Sequence, residues 1–344
     1  MNTYKWDHQL IKKICKDPQA KRELGYLLDR IYHKPSGRFV SNAELFDEDF
    51  EVFDDYRFVF PIADKMSDDS NPPSYKHYEK DLDIDTIMNY FHTFIEFLDP
   101  DVREIVFKAL AKSGQLQINK INPSHFYNGA TYYSCTAQEH FTEVTDEKNL
   151  ETLTILAHEF GHVYSFYQRK DMPVSKANHC LTEVEGKFWE FLMADFCMQI
   201  SKLKGDAEKV FHNLDDEITN QANALFYKFL LCTTFKKEQA NFAKDKNYRK
   251  FFRLFAYNYG FTKNDQQIVM NTPLENTSDY LLSYLTASSL YTIYKTDQQK
   301  AWYIFKKIAG MERKQPIDMV KDIHALGINF EQEIDSFSRK RKRN

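Results

Sequence analysis

Five consecutive residues, His158-Glu159-Phe160-Gly161-His162, carry the clearest chemistry in this 344-residue sequence. On a helix, residues four apart lie one turn apart on the same face. Two imidazoles so spaced can ligate one metal ion, and the carboxylate beside them can take a proton from a water at that metal. Zinc in such a site acidifies water and polarises a carbonyl oxygen, chemistry suited to hydrolysing a peptide bond. The pattern fixes only three positions in a chain with 11 histidines, so the flanking residues must decide. Leu153, Leu156, Phe160 and Val163 recur at helical spacing and predict a helix with one buried stripe, the two histidines beside it. Gly161 costs about 1 kcal/mol relative to Ala inside a helix. It predicts close approach of another backbone.

A hydrolytic zinc site needs a third protein ligand and an open fourth position. Glu183 follows His162 by 21 positions, and Glu190 stands seven further on, within a predicted helix over Asn178–Cys197. One carboxylate can bind the metal while the other orients a ligand histidine. Glu185 competes for the ligand role but projects from a different face. An isolated Glu is by default a solvated surface group. Here Leu181, Val184, Phe188, Phe191 and Leu192 make the helix apolar, so the carboxylates are expected to be buried and to need partners. His140 and His179 are further candidates, each more simply read as a surface histidine. Cys180 reads as a buried thiol.

His-Glu-Phe-Gly-His followed by a Glu-x6-Glu arrangement resembles the thimet oligopeptidase and oligoendopeptidase F family of zinc metallopeptidases. The similarity extends to the lead-in Leu150–Ala157, to Tyr56–Ala63, to the helical pair Asp81–Gly114 and to the strand region Leu116–Cys135. Only the catalytic half of the family is covered. The resemblance implies one zinc ion per chain, bound by His158, His162 and Glu183. It implies Glu159 as general base and proton donor, and Glu190 as the residue behind a ligand. Tyr280 and Tyr284 correspond to tyrosines that hold substrate and oxyanion, and core packing is the competing reading for both. No His stands near them where the family has one, Ser165 replaces a frequent His, and Glu185-Gly186 departs from the usual Pro-Ser pair. The implied activity is hydrolysis of internal bonds in short peptides. The alternative is a weak or inactive member that binds zinc and peptide.

Composition fits a globular protein, with 42% hydrophobic and 28% charged residues. A net charge of −4 argues against nucleic acid as the main partner. The basic end, Ser338–Asn344, reads as a solvated terminus. Five scattered cysteines suggest neither a disulfide framework nor a cysteine metal site. With no apolar leader at the start and no run of 18 apolar residues, neither secretion nor a membrane span is expected, and the cytoplasm is the default location. Short peptides are the expected partner, and the sequence leaves the oligomeric state open.

The predicted fold is mainly α: a zincin-like catalytic domain with a helical body and a small β-sheet beside the zinc helix. Residues 1–80 read as N-terminal helices (Asp7–Cys15, Gln19–His33), a loop at Pro35–Gly37 and an acidic linker, and residues 81–344 as the catalytic domain. Helices are expected at Asp85–Leu98, from Pro100, at Asp206–Lys244 with a break, at Asp279–Thr296 and after Pro316. Gln115–Ile121 alternates like a strand, and Asn128-Gly129 predicts a hairpin turn. An exposed edge at Ala130–Cys135 or Glu139–Val144 is expected to take a peptide as an added strand.

Overall fold

The computed structural model describes residues 4–32, 52–67, 78–120, 128–172, 181–234 and 273–341. The helices are α1 His8–Ile14, α2 Pro18–Glu23, α3 Gly25–Ile31, α4 Phe60–Met66, α5 Ile84–Glu96, α6 Pro100–Leu110, α7 Leu150–Arg169, α8 Val184–Met198, α9 Lys204–Thr234, α10 Leu274–Thr296, α11 Gln298–Ala309, α12 Pro316–Ala325 and α13 Phe330–Arg341. Three strands, β1 Leu116–Lys120, β2 Gly129–Ser134 and β3 Glu139–Asp146, form one sheet. The fold is mainly α with a small sheet. By compactness the described residues fall into two units. One lies within Met1–Ser36, Tyr75–Asn213 and Leu290–Arg313, the other within Gly37–Ser74, Leu214–Ser289 and Lys314–Asn344.

In the first unit the strand order is β1-β3-β2, with β1 parallel and β2 antiparallel to β3. The expected hairpin at Asn128-Gly129 is not there. Gly129 opens β2, opposite Val144, and the tight antiparallel reversal lies between Ser134 and Glu139, with Gln138 at φ 54°. The glycine serves packing instead of turning. A Cβ on Gly129 would sit 2.6 Å from Ile155 Cγ2 and 2.7 Å from Glu159 Oε1 of α7. The strand at Glu139–Val144 is central, so the expected edge narrows to β2. The other outer strand is already engaged, since Ile118 donates its backbone N–H to the Tyr4 carbonyl at 3.2 Å and Asp7 donates to Gly114 at 2.8 Å.

Strand alternation gives the sheet two different faces. Phe141 packs with Trp6, Ile11, Leu24 and Leu27 from the N-terminal segment, and Tyr132 lies against them. On the opposite face, Tyr133 stacks on Phe166 of α7 at 5.1 Å between ring centroids, and His140 Nδ1 lies 3.2 Å from the Tyr167 hydroxyl. Buried His140 is thus a structural group, not the surface histidine expected.

Helix α7 starts where the Asn149 side chain accepts the Glu151 N–H at 2.8 Å. Its predicted stripe of Leu153, Leu156, Phe160 and Val163 is buried. Phe160 meets Phe91 of α5 at 5.1 Å. Pro100 stands in the first turn of α6 behind an Asp99 cap, as its sequence position indicates. Helix α8 packs through Phe188 on Trp302 and Phe305 of α11. A Cβ on Gly161 would come within 2.6 Å of the Glu185 carbonyl, so the backbone approach that this glycine predicted is present.

Within the second unit, part of the stretch read as an acidic linker is helical. Arg57–Val59 forms a 3₁₀ turn leading into α4, and Phe60 stacks on Phe226 at 5.8 Å. The Tyr56 hydroxyl donates to Asp279 at 2.7 Å. Pro35–Gly37, Phe126, Tyr127, Asn178–Cys180 and residues 235–244 of the stretch expected to be helical with a break lie outside the described residues; its described part is one continuous helix, α9. The four described cysteines are free thiols. No described helix is long and apolar enough to cross a membrane.

Candidate active site

His158 and His162 project from one face of α7, and Glu183 stands at the N-cap of α8. The three ligand atoms form a small triangle. His158 Nε2 and His162 Nε2 are 3.0 Å apart, and Glu183 Oε2 lies 3.3 Å from the first and 3.8 Å from the second. Two nitrogens and an oxygen at tetrahedral angles around a zinc ion, about 2.0–2.2 Å from each, stand about 3.3–3.5 Å apart. The donor set and its spacing therefore fit zinc. Among the described residues this is the group of His, Cys, Asp and Glu whose ligand atoms converge.

The other ring nitrogen of His158 is fixed from behind. Nδ1 lies 2.5 Å from Glu190 Oε1, and Lys187 Nζ reaches the same oxygen at 3.0 Å. A carboxylate on Nδ1 fixes the tautomer in which Nε2 presents its lone pair. The ring is seated by a glycine, since a Cβ on Gly186 would fall 2.5 Å from His158 Cε1. Glu185, the competitor for the ligand role, is fully buried and pairs with Arg169 instead.

Glu159 is buried beneath β2. Its Oε2 accepts a hydrogen bond from the Thr131 hydroxyl at 2.7 Å. Burial raises its pKa to about 7, helped by Glu183 and Glu190 and opposed by His158 and Thr131. For His158 burial disfavours the charge, but Glu183 and Glu190 outweigh it and the pKa rises to about 10. His162 is pushed down, chiefly by burial. Burial works against the Glu183 charge too, yet the two histidines hold it at about 2. A metal held by these residues would favour the deprotonated form of His158.

No protein-family model matches this sequence, and no curated protein matches it by sequence. Solved structures do match. A Bacillus anthracis protein assigned as an oligoendopeptidase F aligns with TM-score 0.55 at 14% identity, over 94% of this chain and 60% of that one. PZ peptidase A, solved with an inhibitor, gives 0.55 at 15% identity over 83% and 58%. A second oligoendopeptidase F structure gives 0.54 at 14% over 92% and 62%.

The fold is that of the oligoendopeptidase F peptidases. At this identity the likeness concerns the fold, and the chain spans about three fifths of the length of those structures.

Within this oligoendopeptidase F fold, His158, Glu159, His162, Glu183 and Glu190 come together in the first unit. Tyr280 and Tyr284 lie on α10 in the second, Tyr284 buried and Tyr280 partly so. Sequence reading missed Thr131, Lys187 and the Arg169–Glu185 pair. Thr131 stands two residues after Gly129 on the same strand face, and the glycine was the available signal. Lys187 precedes Glu190 by three positions, an ordinary helical ion-pair spacing that does not stand out in a sequence with 46 Lys and Arg.

Proposed function

We propose that the chain is a zinc-dependent oligopeptidase that hydrolyses internal bonds of short peptides. The observation that carries this reading is the convergence of His158, His162 and Glu183 beside a buried Glu159. These three residues would hold one zinc ion, with Glu190 orienting His158. Zinc supplies a Lewis acid for the peptide carbonyl and acidifies water. Glu159 takes a proton from the attacking water and returns it to the departing amine, the Thr131 hydroxyl holding its carboxylate in place. The outer edge of β2 receives the peptide as an added strand, since no strand pairs with it among the described residues. The proposed setting is the cytoplasm.

The missing histidine near Tyr280 supports a second reading, a zinc- and peptide-binding protein with little turnover. One experiment separates them: hydrolysis of a mixed library of short peptides by the purified chain, with bound zinc counted and Glu159→Gln as control. Cleavage by the wild type alone, with about one zinc in both chains, supports the peptidase. Zinc without cleavage supports the binder, and no zinc with no cleavage contradicts both.

A further inference from the structure

The stripe of α7 that carries the histidines does not end at His162. Ser165 and Arg169 follow three and seven positions on, along the same face. Ser165 is fully buried and Arg169 is 6% exposed. Across from them Glu185, with no exposed surface, sets its Oε1 3.5 Å from Arg169 Nη2. An ion pair buried this deeply is a poor source of stability. The desolvation of both charges offsets their attraction, and apolar side chains of similar volume serve as well or better. Its place in the chain gives it another use.

Glu185 is two residues beyond Glu183. Glu183 is the N-cap of α8: its carbonyl accepts the Lys187 N–H at 3.0 Å, while its side chain makes no cap bond and is left to the histidines. Its direction depends on how residues 184–186 dock on α7. Two glycines bring that docking to contact distance: the Glu185 carbonyl lies on Gly161, and Gly186 lies on the His158 ring. Glycines permit the approach but do not fix its register along the helix. A charge contact between the last turn of α7 and the first turn of α8, here 3.5 Å, can supply that register.

We propose that Arg169 and Glu185 are a positioning pair that locks the start of α8 to α7 and so holds Glu183 in register with His158 and His162. The proposal rests on the metal-site reading above. It separates two roles that would otherwise coincide, because an apolar pair can restore packing but cannot restore a directed register.

The test compares the wild type with Glu185→Gln, Arg169→Lys and the double variant Arg169→Met/Glu185→Leu. Three quantities are read: zinc affinity by competition with a chelator, the visible absorption of the cobalt(II)-loaded chain, and the thermal midpoint. Glu185→Gln is expected to weaken zinc binding roughly tenfold or more. The double variant is expected to recover the wild-type midpoint while zinc binding stays roughly tenfold weak and the cobalt spectrum stays altered. Arg169→Lys, which keeps the charge, is expected to bind zinc nearly as the wild type does. Wild-type zinc affinity and cobalt spectrum in Glu185→Gln or in the double variant would overturn the proposal and leave the metal site standing. Should the double variant not fold, Glu185→Gln alone decides. A wild-type chain that binds no zinc would overturn both proposal and site.

Discussion

Two carboxylates on opposite sides of the sheet have different fates. Glu143, on β3, is 5% exposed and fully partnered: Arg30 reaches it at 2.9 Å, the Tyr132 hydroxyl at 2.8 Å and Asn119 at 3.0 Å. Glu159, beneath the opposite face, is equally buried, yet among the described residues one side-chain donor, Thr131, reaches it. Arg30 joins α3 to the sheet through Glu143, and Tyr132 and Asn119 tie the same carboxylate to β2 and β1. One donor leaves Glu159 oriented but free to exchange a proton, with its pKa at about 7 where water chemistry needs it. Burial alone marks neither residue as functional. The difference lies in how completely the carboxylate is satisfied.

The comparison breaks most visibly at Glu159. Glu159→Gln keeps the shape and the Thr131 contact but removes the base. Peptide hydrolysis is expected to fall by about 10²–10⁴ with zinc content unchanged. A variant that keeps more than a tenth of wild-type activity would place the base elsewhere. Glu143→Ala should do the reverse, lowering stability by about 2 kcal/mol as three donors lose their acceptor. Denaturant melts and zinc counts check this, and loss of zinc at unchanged stability would refute the assignment.

Gly129→Ala tests the contact between the sheet and Glu159. The added methyl meets Ile155 and the Glu159 carboxylate, at a cost of about 1–3 kcal/mol in stability. Activity is expected to fall further than that loss explains, because the group displaced is the base. Steady-state kinetics well below the melting temperature isolate that part. Thr131→Val removes that donor, and kcat is expected to drop roughly tenfold, with stability lowered by about 1–3 kcal/mol as the buried carboxylate loses its hydrogen bond.

The effect smallest at neutral pH concerns His140, which shares the sheet face with Thr131 and matters only in acid. Burial, with Lys112 nearby, lowers its pKa to about 3. The folded chain therefore refuses a proton that the unfolded chain accepts below its ordinary value of 6.5. Stability from this group is intact above that value and is lost as pH falls from there towards 3, by about 1.4 kcal/mol per pH unit. His140→Gln should flatten the acid side of the stability profile by that slope. An unchanged slope would show that the carboxylates alone set it.

Much of the site was legible because helical spacing is a strong geometric statement. His158 and His162 had to share a face, and Gly161 had to mark a close neighbour, which proved to be the Glu185 carbonyl. The mainly helical fold with a small sheet followed from hydrophobic periodicity at residues such as Leu153 and Phe160. The sheet was less legible. Gly129 after Asn128 looks like turn chemistry, yet it is in a strand because a side chain of α7 fills the space a Cβ would need. A glycine kept for packing and one kept for turning look alike until the partner helix is known. The roles of His140, Arg169 and Glu185 were hidden for a similar reason, since each depends on a residue brought near only by the fold.

The most direct test of the central claim is X-ray absorption at the zinc edge on the purified, zinc-loaded chain, alongside Glu183→Ala. The account predicts one site with only nitrogen and oxygen neighbours at about 2.0–2.2 Å, two of them imidazoles, and a lost oxygen neighbour or lost metal in the variant. Sulfur neighbours at about 2.3 Å, or a spectrum that ignores the Glu183 change, would contradict it.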